Sequence, residues 1–272
     1  MPDPTVCAVM LTRDRPELAR RAVECFRAQA YDPAKRMLLI LDSGEPSWYD
    51  MRSDAENEAL IGSAVHADKT IGALRNIANA CCDADIIIHF DDDDWSHPNR
   101  IAEQVALLQA SGVGCVGYRD CLFWRMPDAV RAIYVDAPDT WDGAQAWLLY
   151  NTIAIGSSFC YWRKVWRDCP FPDLPKRGVK DGSSEDVVWR REVYYRAVSS
   201  VGGAPANALI SRARTKDLSL GPNAGYGFDP RMICRIHGKN TSSYEIEKYP
   251  DSWRRVPSWD DYCRNIMERK NG

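Results

Sequence analysis

The sequence predicts a single α/β domain whose central sheet is mainly parallel and is flanked by helices. Three observations lead to this prediction. In the first half of the chain, short apolar segments alternate with segments of helical periodicity. The apolar segments are continuous, which is typical of strands that are buried on both faces of a parallel sheet. Polar residues follow these segments directly, and the ligand sites of parallel sheets lie at the carboxyl ends of the strands.

The first elements show this alternation clearly. Residues 6–11 are an apolar run bounded by turn residues, which indicates a buried strand. Pro16 stands where a helix begins, and apolar residues then recur at helical spacing. Residues 37–41 form a second apolar strand, and Val65 begins a weaker third one. Thr70 is a suitable N-cap for the next helix.

The fourth strand leads into the most unusual stretch of the chain. Residues 85–90 are rich in isoleucine and run straight into four aspartates. Residues 98–111 carry apolar side chains along one helical face, and the apolar residues 141–161 are ambiguous between strand and helix. The other predicted elements are strands at 113–118, 121–126, 130–135 and 232–236, a helix at 185–197, and loops at 176–184 and 221–230.

Composition excludes several classes of protein. The chain has 272 residues and a net charge of −3, so it offers no overall attraction to nucleic acid or to an anionic membrane. Its first residues lack the features of a signal peptide, and no apolar run approaches the ~18 residues that span a bilayer. The ten cysteines include no C-x-x-C pair. We therefore expect free thiols and a cytoplasmic location, without structural zinc or a disulfide framework.

The four consecutive aspartates, Asp91 to Asp94, are the first candidate site. Carboxylates this close repel one another unless a cation offsets their charge. Mg²⁺ and Mn²⁺ prefer oxygen ligands and share them with substrate phosphates. The alternative is a solvated acidic turn before Pro98, where aspartate stabilises a helix N-terminus. The position directly after a buried strand favours the metal site.

Other polar residues follow neighbouring strands. Thr12, Arg13 and Asp14 end the first strand, and Asp42 ends the second. Because these strand ends meet at one edge of a parallel sheet, we expect them to lie near the aspartates. Asp42 alone is compatible with a simple turn as well as with a contact to a nucleotide.

The second half of the chain contains three further candidate site residues, each of which also has an ordinary structural interpretation. Glu185 and Asp186 open a helix, where they either stabilise its dipole or supply a general base. His237 ends the strand at 232–236 and is either a surface residue or a metal ligand.

These motifs occur along the chain in the same order as in a known protein family. The chain resembles the family 2 inverting glycosyltransferases of GT-A fold over nearly its whole length. The DDDD-W-x-x-P stretch and the later ED pair on a helix are its most specific motifs. The matching segments are VCAVMLTRDRPELARRAVECFRAQ, LLILDSG, GALRNIANACCDADIIIHFDDDDWSHPNRI, GSSFCYWRKVW, SSEDVVWRR and ICRIHGKNTS.

The resemblance implies a Rossmann-like nucleotide-diphospho-sugar transferase domain with two halves. Residues 1–117 would bind the donor. Residues 118–272 would bind the acceptor and carry the catalytic base, with a C-terminal tail that packs on the core. The implied cofactor is Mn²⁺ or Mg²⁺.

Individual roles are implied residue by residue. Asp186 would be the catalytic base, and Glu185 would contact the acceptor or the donor sugar. The implied metal ligands are Asp94, Asp93 and His237, although the position of the D-x-D motif within the four aspartates is not fixed. The implied donor-binding residues are Thr12, Arg13, Asp14, Asp42, Arg75, Asn76, Asp92 and Asp93. Gly156 and Ser157 would form the floor of the acceptor site.

The expected function is metal-dependent, inverting transfer of a sugar from a nucleotide diphosphate, by family habit a UDP-sugar, to a hydroxyl. The acceptor is open among saccharides, proteins, lipid-linked molecules and modified nucleobases. The segment after the first strand, LTRDRPE, has no glycine, which disfavours the alternative of a sugar-nucleotide nucleotidyltransferase. A second alternative is an inactive nucleotide- or sugar-binding module of the same fold. The intact acidic motifs disfavour it.

Overall fold

The computed structural model describes residues 3–44, 58–62, 68–118, 120–126, 145–150, 154–174, 184–201, 211–213, 230–237 and 253–268. The strand that the sequence predicts at 130–135 lies outside these residues, as do most of both predicted loops. None of the helices in the described ranges has the length and apolar character that crossing a bilayer requires.

The described secondary structure consists of strands and helices in the following order. The strands are β1 (Val6–Thr12), β2 (Arg36–Asp42), β3 (Glu58–Gly62), β4 (Ile86–His89), β5 (Trp95–Ser96), β6 (Cys115–Tyr118), β7 (Asp120–Arg125), β8 (Gln145–Tyr150), β9 (Cys160–Trp162), β10 (Ser211–Ala213), β11 (Met232–Ile236) and β12 (Trp253–Arg255). The helices are α1 (Pro16–Arg27), α2 (Ile71–Cys81), α3 (Arg100–Ser111), α4 (Arg163–Asp168), α5 (Glu185–Val201) and α6 (Asp260–Met267).

The central sheet has the order β10–β6–β9–β4–β1–β2–β3. Strands β4, β1, β2 and β3 are parallel to one another, and β10 is parallel to β6. Strand β9 is antiparallel to both of its neighbours. The predicted mainly parallel sheet is therefore confirmed, with one reversed strand. The reversal arises because residues 155–158 lie against the carboxyl ends of β6 and β4, so β9 must run back from that edge.

The sheet is buried on both faces, which explains its continuous apolar strands. Along β1, Val6, Ala8 and Met10 pack into one core cluster, whereas Cys7 and Val9 pack into the other. Full burial of a side chain such as Val6, Val9 or Met10 contributes about 1.5–3 kcal/mol. Helices α1 and α3 cover the first face, and α2 and α5 cover the second.

A second sheet has the order β12–β8–β7–β11–β5 and was not anticipated from the sequence. Its pairs are antiparallel except for β7 with β11. Helix α6 packs on it through Cys263 and Met267, beside Trp124 and Ile233. This sheet brings β11, and with it His237, back to the first half of the chain.

Two local expectations differ from the structure. The third strand is Glu58–Gly62, which precedes the predicted start at Val65, and Val65 itself lies outside the described residues.

Cys7 and Cys82 form a disulfide pair with their Cα atoms 6.1 Å apart, so the expectation of free thiols is wrong for these two. The physical reason is that β1 and the end of α2 pack together in one core. The other eight cysteines are free.

Candidate functional site

The ends of β1 and β4 meet at the carboxyl edge of the central sheet, as predicted. The two strands are in parallel register, with Val9 opposite His89. Thr12 lies three residues after Val9, and Asp92 lies three residues after His89. The hydroxyl of Thr12 donates to Oδ2 of Asp92 at 2.8 Å. Both side chains are buried. The alternation of strand and helix therefore does place the first polar strand end against the aspartates.

Arg15 binds two of the four aspartates, and sequence analysis did not identify it. Its Nη2 lies 3.0 Å from Oδ1 of Asp92, and its Nη1 lies 2.9 Å from Oδ2 of Asp93. Asp14, with φ of 54°, turns the chain from β1 towards α1 and brings Arg15 over the strand end. No sequence signal separates Arg15 from the nearby Arg13, whose side chain is half exposed and pairs with Asp14 at 3.6 Å.

Three aspartates form a possible cation site. One side-chain oxygen from each of Asp91, Asp93 and Asp94 lies within 4.8 Å of the other two. His237 extends this group, because its Nε2 lies 3.1 Å from Oδ2 of Asp93. Asp91 was not among the implied ligands, and Asp92 turns away to Thr12 and Arg15.

The electrostatics of the run fit a divalent cation. Burial and the charge of Asp93 raise the pKa of Asp92 to about 8, against the lowering effect of Arg15. Burial, Asp93 and Asp91 raise the pKa of Asp94 well above its ordinary value. Burial also raises the pKa of Asp91, although Arg75 opposes it. These carboxylates resist ionisation because they lie close together. A hard divalent cation prefers oxygen ligands and would stabilise their ionised form.

Arg75 connects the aspartate run to the start of α5. Its Nε lies 3.3 Å from Oε1 of Glu185, and its Nη2 lies 4.0 Å from Oδ1 of Asp91. Burial alone lowers the pKa of Arg75, but the carboxylates of Asp91, Glu185 and Asp186 raise it above its ordinary value. Its Nη1 is buried without a hydrogen-bond partner. The guanidinium therefore keeps a donor available beside the carboxylates.

Asp186 lies directly against Gly156. A Cβ atom added to Gly156 would stand 2.0 Å from Oδ2 of Asp186, so only glycine fits there. Oδ1 of Asp186 accepts hydrogen bonds from the Ser184 hydroxyl and from the Val187 amide, the latter at 2.8 Å. Among the described residues, Oδ2 has no hydrogen-bond donor. One carboxylate oxygen is thus fixed and the other is available to a ligand.

Buried hydrogen bonds hold the backbone beneath Asp186. Nδ1 of His89 must donate to the Gly156 carbonyl, at 2.7 Å, since that oxygen can only accept. Nε2 of His89 then accepts from the Tyr161 hydroxyl at 3.3 Å. This neutral arrangement is consistent with burial and Arg75, which lower the pKa of His89 well below its usual value. Arg100 donates to the Ser157 carbonyl at 2.9 Å and so fixes the adjacent residue.

The remaining predicted residues lie in two places. Asp14 and Asp42 enclose Gly44, where a Cβ atom would stand 2.7 Å from Oδ1 of Asp14 and 3.1 Å from Oδ1 of Asp42. Asp42 is completely buried and accepts the Gly44 amide at 2.9 Å. Asn76 instead uses its amide to hold Phe171 and Trp166. These contacts of Asn76 are structural, and its role towards the donor stays a prediction.

Comparison with known proteins gives a family match over more than half of the chain. Residues 7–157 match the sequence model of the family described as Glycosyl transferase family 2. This range includes β1, the aspartate run and Gly156. No curated protein matches the chain.

Solved structures share the fold. A mannosyltransferase, PcManGT from Pyrobaculum calidifontis in complex with GDP-Man and Mn²⁺, is 13% identical, with a TM-score of 0.55. The match covers 99% of this chain and 66% of that one. S. aureus TarS is 12% identical with a TM-score of 0.44, and the match covers 68% of this chain. The chain spans about half the length of that TarS structure, 53%. The likeness to the mannosyltransferase shows a GT-A fold.

Proposed function

The chain belongs to glycosyl transferase family 2, and on this premise we propose that it is a metal-dependent, inverting glycosyltransferase. It would move a sugar from a nucleotide diphosphate to a hydroxyl acceptor. The observation that carries the proposal is the position of Asp186. Its Oδ2 lies over Gly156, and its neighbour Glu185 is joined through Arg75 to the aspartate run.

The reaction requires one base and no covalent intermediate. Asp186 accepts the proton of the acceptor hydroxyl while the hydroxyl oxygen forms a bond to the anomeric carbon. The bond from that carbon to the diphosphate oxygen breaks, and the leaving nucleotide diphosphate takes the electron pair. Attack from the face opposite the leaving group inverts the anomeric configuration. Oδ1 is held by Ser184 and Val187, so Oδ2 is the oxygen that receives the proton.

The aspartates supply the other half of the chemistry. Asp91, Asp93 and Asp94 would hold Mn²⁺ or Mg²⁺, with His237 beside them. A bound divalent cation offsets the charge that develops on the diphosphate as it leaves. The Mn²⁺ in the mannosyltransferase complex supports this part of the proposal.

The proposal extends to the two halves of the chain and to the donor. We assign residues 1–117 to the donor, with Asp14 and Asp42 at the nucleoside, and residues 118–272 to the acceptor and the catalytic base. UDP-sugars are the first donor class to test. GDP-mannose is the second, because the mannosyltransferase of similar fold binds it. Eight of the ten cysteines are free, which favours a cytoplasmic location for the enzyme, whereas the Cys7–Cys82 disulfide is of a kind more common in oxidising compartments.

The test is hydrolysis of a panel of nucleotide sugars with and without Mn²⁺ or Mg²⁺, in wild type and in Asp94→Asn. Slow, metal-dependent release of one nucleotide diphosphate, lost in the variant, would establish the reaction class and identify the donor. If no nucleotide sugar is hydrolysed and no nucleotide raises the melting temperature in the presence of metal, the proposal is wrong. The protein would then be an inactive member of the fold.

A further inference from the structure

Arg15 lies in the acidic site, yet neither the proton transfer nor the departure of the diphosphate requires it. We propose that Arg15 is a resident counter-ion of the aspartate run: it withdraws Asp92 from the cation site and competes with the divalent cation for Asp93. The inference rests on the proposed metal dependence and is independent of which sugar or nucleotide the enzyme uses.

Geometry assigns Asp92 to Arg15 rather than to a metal. Both oxygens of Asp92 are engaged, Oδ1 by the guanidinium at 3.0 Å and Oδ2 by the Thr12 hydroxyl at 2.8 Å. The side chain of Asp92 is only 2% exposed, so it cannot turn towards an incoming ion without breaking both contacts. A desolvated contact of this type, with an ionised donor, is among the stronger hydrogen bonds in proteins. The cation site therefore consists of the other three aspartates.

Asp93 is the residue for which Arg15 and a cation compete. Its Oδ2 accepts from Nη1 of Arg15 at 2.9 Å and lies 3.1 Å from Nε2 of His237. Asp93 is also one of the three residues whose oxygens converge. A divalent ion bound there would share a carboxylate with a guanidinium of like sign. The Arg15 side chain is only 17% exposed, so solvent screens this repulsion weakly.

Two consequences follow for the protein without donor. Arg15 stabilises the metal-free site, because its guanidinium contacts both Asp92 and Asp93 and opposes the repulsion between them. It also weakens the binding of a cation, because part of the negative charge is already compensated. The two effects have opposite signs in a variant without the positive charge, and this separates a counter-ion from a residue that merely orders the metal ligands.

The experiment measures Mn²⁺ binding to the full chain without nucleotide, by the electron paramagnetic resonance signal of free Mn²⁺. Arg15→Gln should bind Mn²⁺ about tenfold more tightly than wild type, because the variant lacks a like charge a few ångströms from the cation. Arg15→Lys should stay close to wild type, because it keeps the charge. Arg20→Gln, which removes an exposed arginine of α1, is the control and should change nothing.

A second readout is the melting temperature without metal, which should fall in Arg15→Gln and recover at saturating Mn²⁺. Asp92→Asn should keep Mn²⁺ affinity within about tenfold of wild type, whereas Asp94→Asn should lose it. Equal or weaker Mn²⁺ binding by a folded Arg15→Gln overturns the inference, as does Arg15→Lys binding as tightly as Arg15→Gln. Loss of the expected hydrolysis with these affinities intact would reject the enzyme activity alone.

Discussion

At the scale of single residues, the four aspartates show how much identical side chains can differ in one structure. Asp92 is turned to Arg15 and Thr12, whereas Asp94 accepts the backbone amide of Arg235 at 3.2 Å. Asp93 lies between Arg15 and His237. Each aspartate therefore makes a different contribution, although the run is uniform in sequence.

Asp186→Asn tests the proposed base. Asparagine keeps the size of the side chain and an oxygen that can accept from the Val187 amide, but it cannot take a proton. Turnover should fall by about 10²–10⁴-fold, the usual contribution of a general base, while donor binding stays normal. Steady-state kinetics and donor titration would check this. Glu192→Gln, an exposed change on the same helix, should keep full turnover. Normal turnover in Asp186→Asn would reject the assignment.

Gly156→Ala tests the contact beneath the base. The added methyl group would stand 2.0 Å from Oδ2 of Asp186, so the carboxylate must move. Turnover should fall by about 10²-fold, as expected for a misplaced catalytic group. Gly112→Ala is the control, since φ of 65° makes it destabilising while a Cβ there meets nothing within 4 Å. Activity retained by Gly156→Ala and lost by Gly112→Ala would contradict the prediction.

At the scale of elements, helix α2 depends on its predicted cap. The Thr70 hydroxyl accepts the Ala73 amide at 3.2 Å and donates to Asp173 at 2.5 Å. Thr70→Ala should cost about 1 kcal/mol, a fall in melting temperature of about 2–4 °C for a chain of this size. Thermal unfolding would measure it, with Thr70→Ser as the conservative control. An unchanged melting temperature in Thr70→Ala would show that neither contact contributes.

Residues 154–159, which precede β9, complete the candidate site. They lie across the carboxyl ends of β4 and β6, where the Ile155 amide donates to the Tyr118 carbonyl at 3.0 Å. Ser158 is completely buried, and its hydroxyl accepts the Tyr118 amide. The glycine under Asp186 is therefore fixed by the same turn that reverses β9.

At the scale of the whole molecule, the buried carboxylates of the acidic site lower the stability of the metal-free protein, and the proposed cation binding depends on them. Asp94→Asn should raise the melting temperature of the metal-free protein by a few degrees, and the gain should grow as pH rises, because the raised pKa of Asp94 means that its ionisation beside Asp91 and Asp93 costs stability. It should also abolish stabilisation by Mn²⁺. Thermal unfolding with Mn²⁺ and with a chelator measures both effects. Asp261→Asn, an exposed change, should alter neither. A lower metal-free melting temperature in folded Asp94→Asn would contradict this account.

The sequence by itself determined the alternation of β1, β2 and β4 with helices and hence the edge where the polar residues meet. These features could be predicted because buried parallel strands have continuous apolar runs and ligands lie at their carboxyl ends. The Thr70 cap could also be predicted, because an N-cap preference depends only on the residue type next to the start of the helix. The aspartate run indicated a metal site from its position directly after a buried strand, whereas the adjacent acids Glu185 and Asp186 became informative only through a resemblance to a family.

Only the tertiary structure decided which aspartate contacts which partner. The hydrogen bond from Thr12 to Asp92 depends on strand register, and the contact of Arg15 depends on the turn at Asp14. The pairing of β9 with β4 and the position of His237 beside Asp93 join residues more than 60 positions apart in sequence. No local pattern encodes such contacts, because they follow from how separate elements bury their apolar faces against one another.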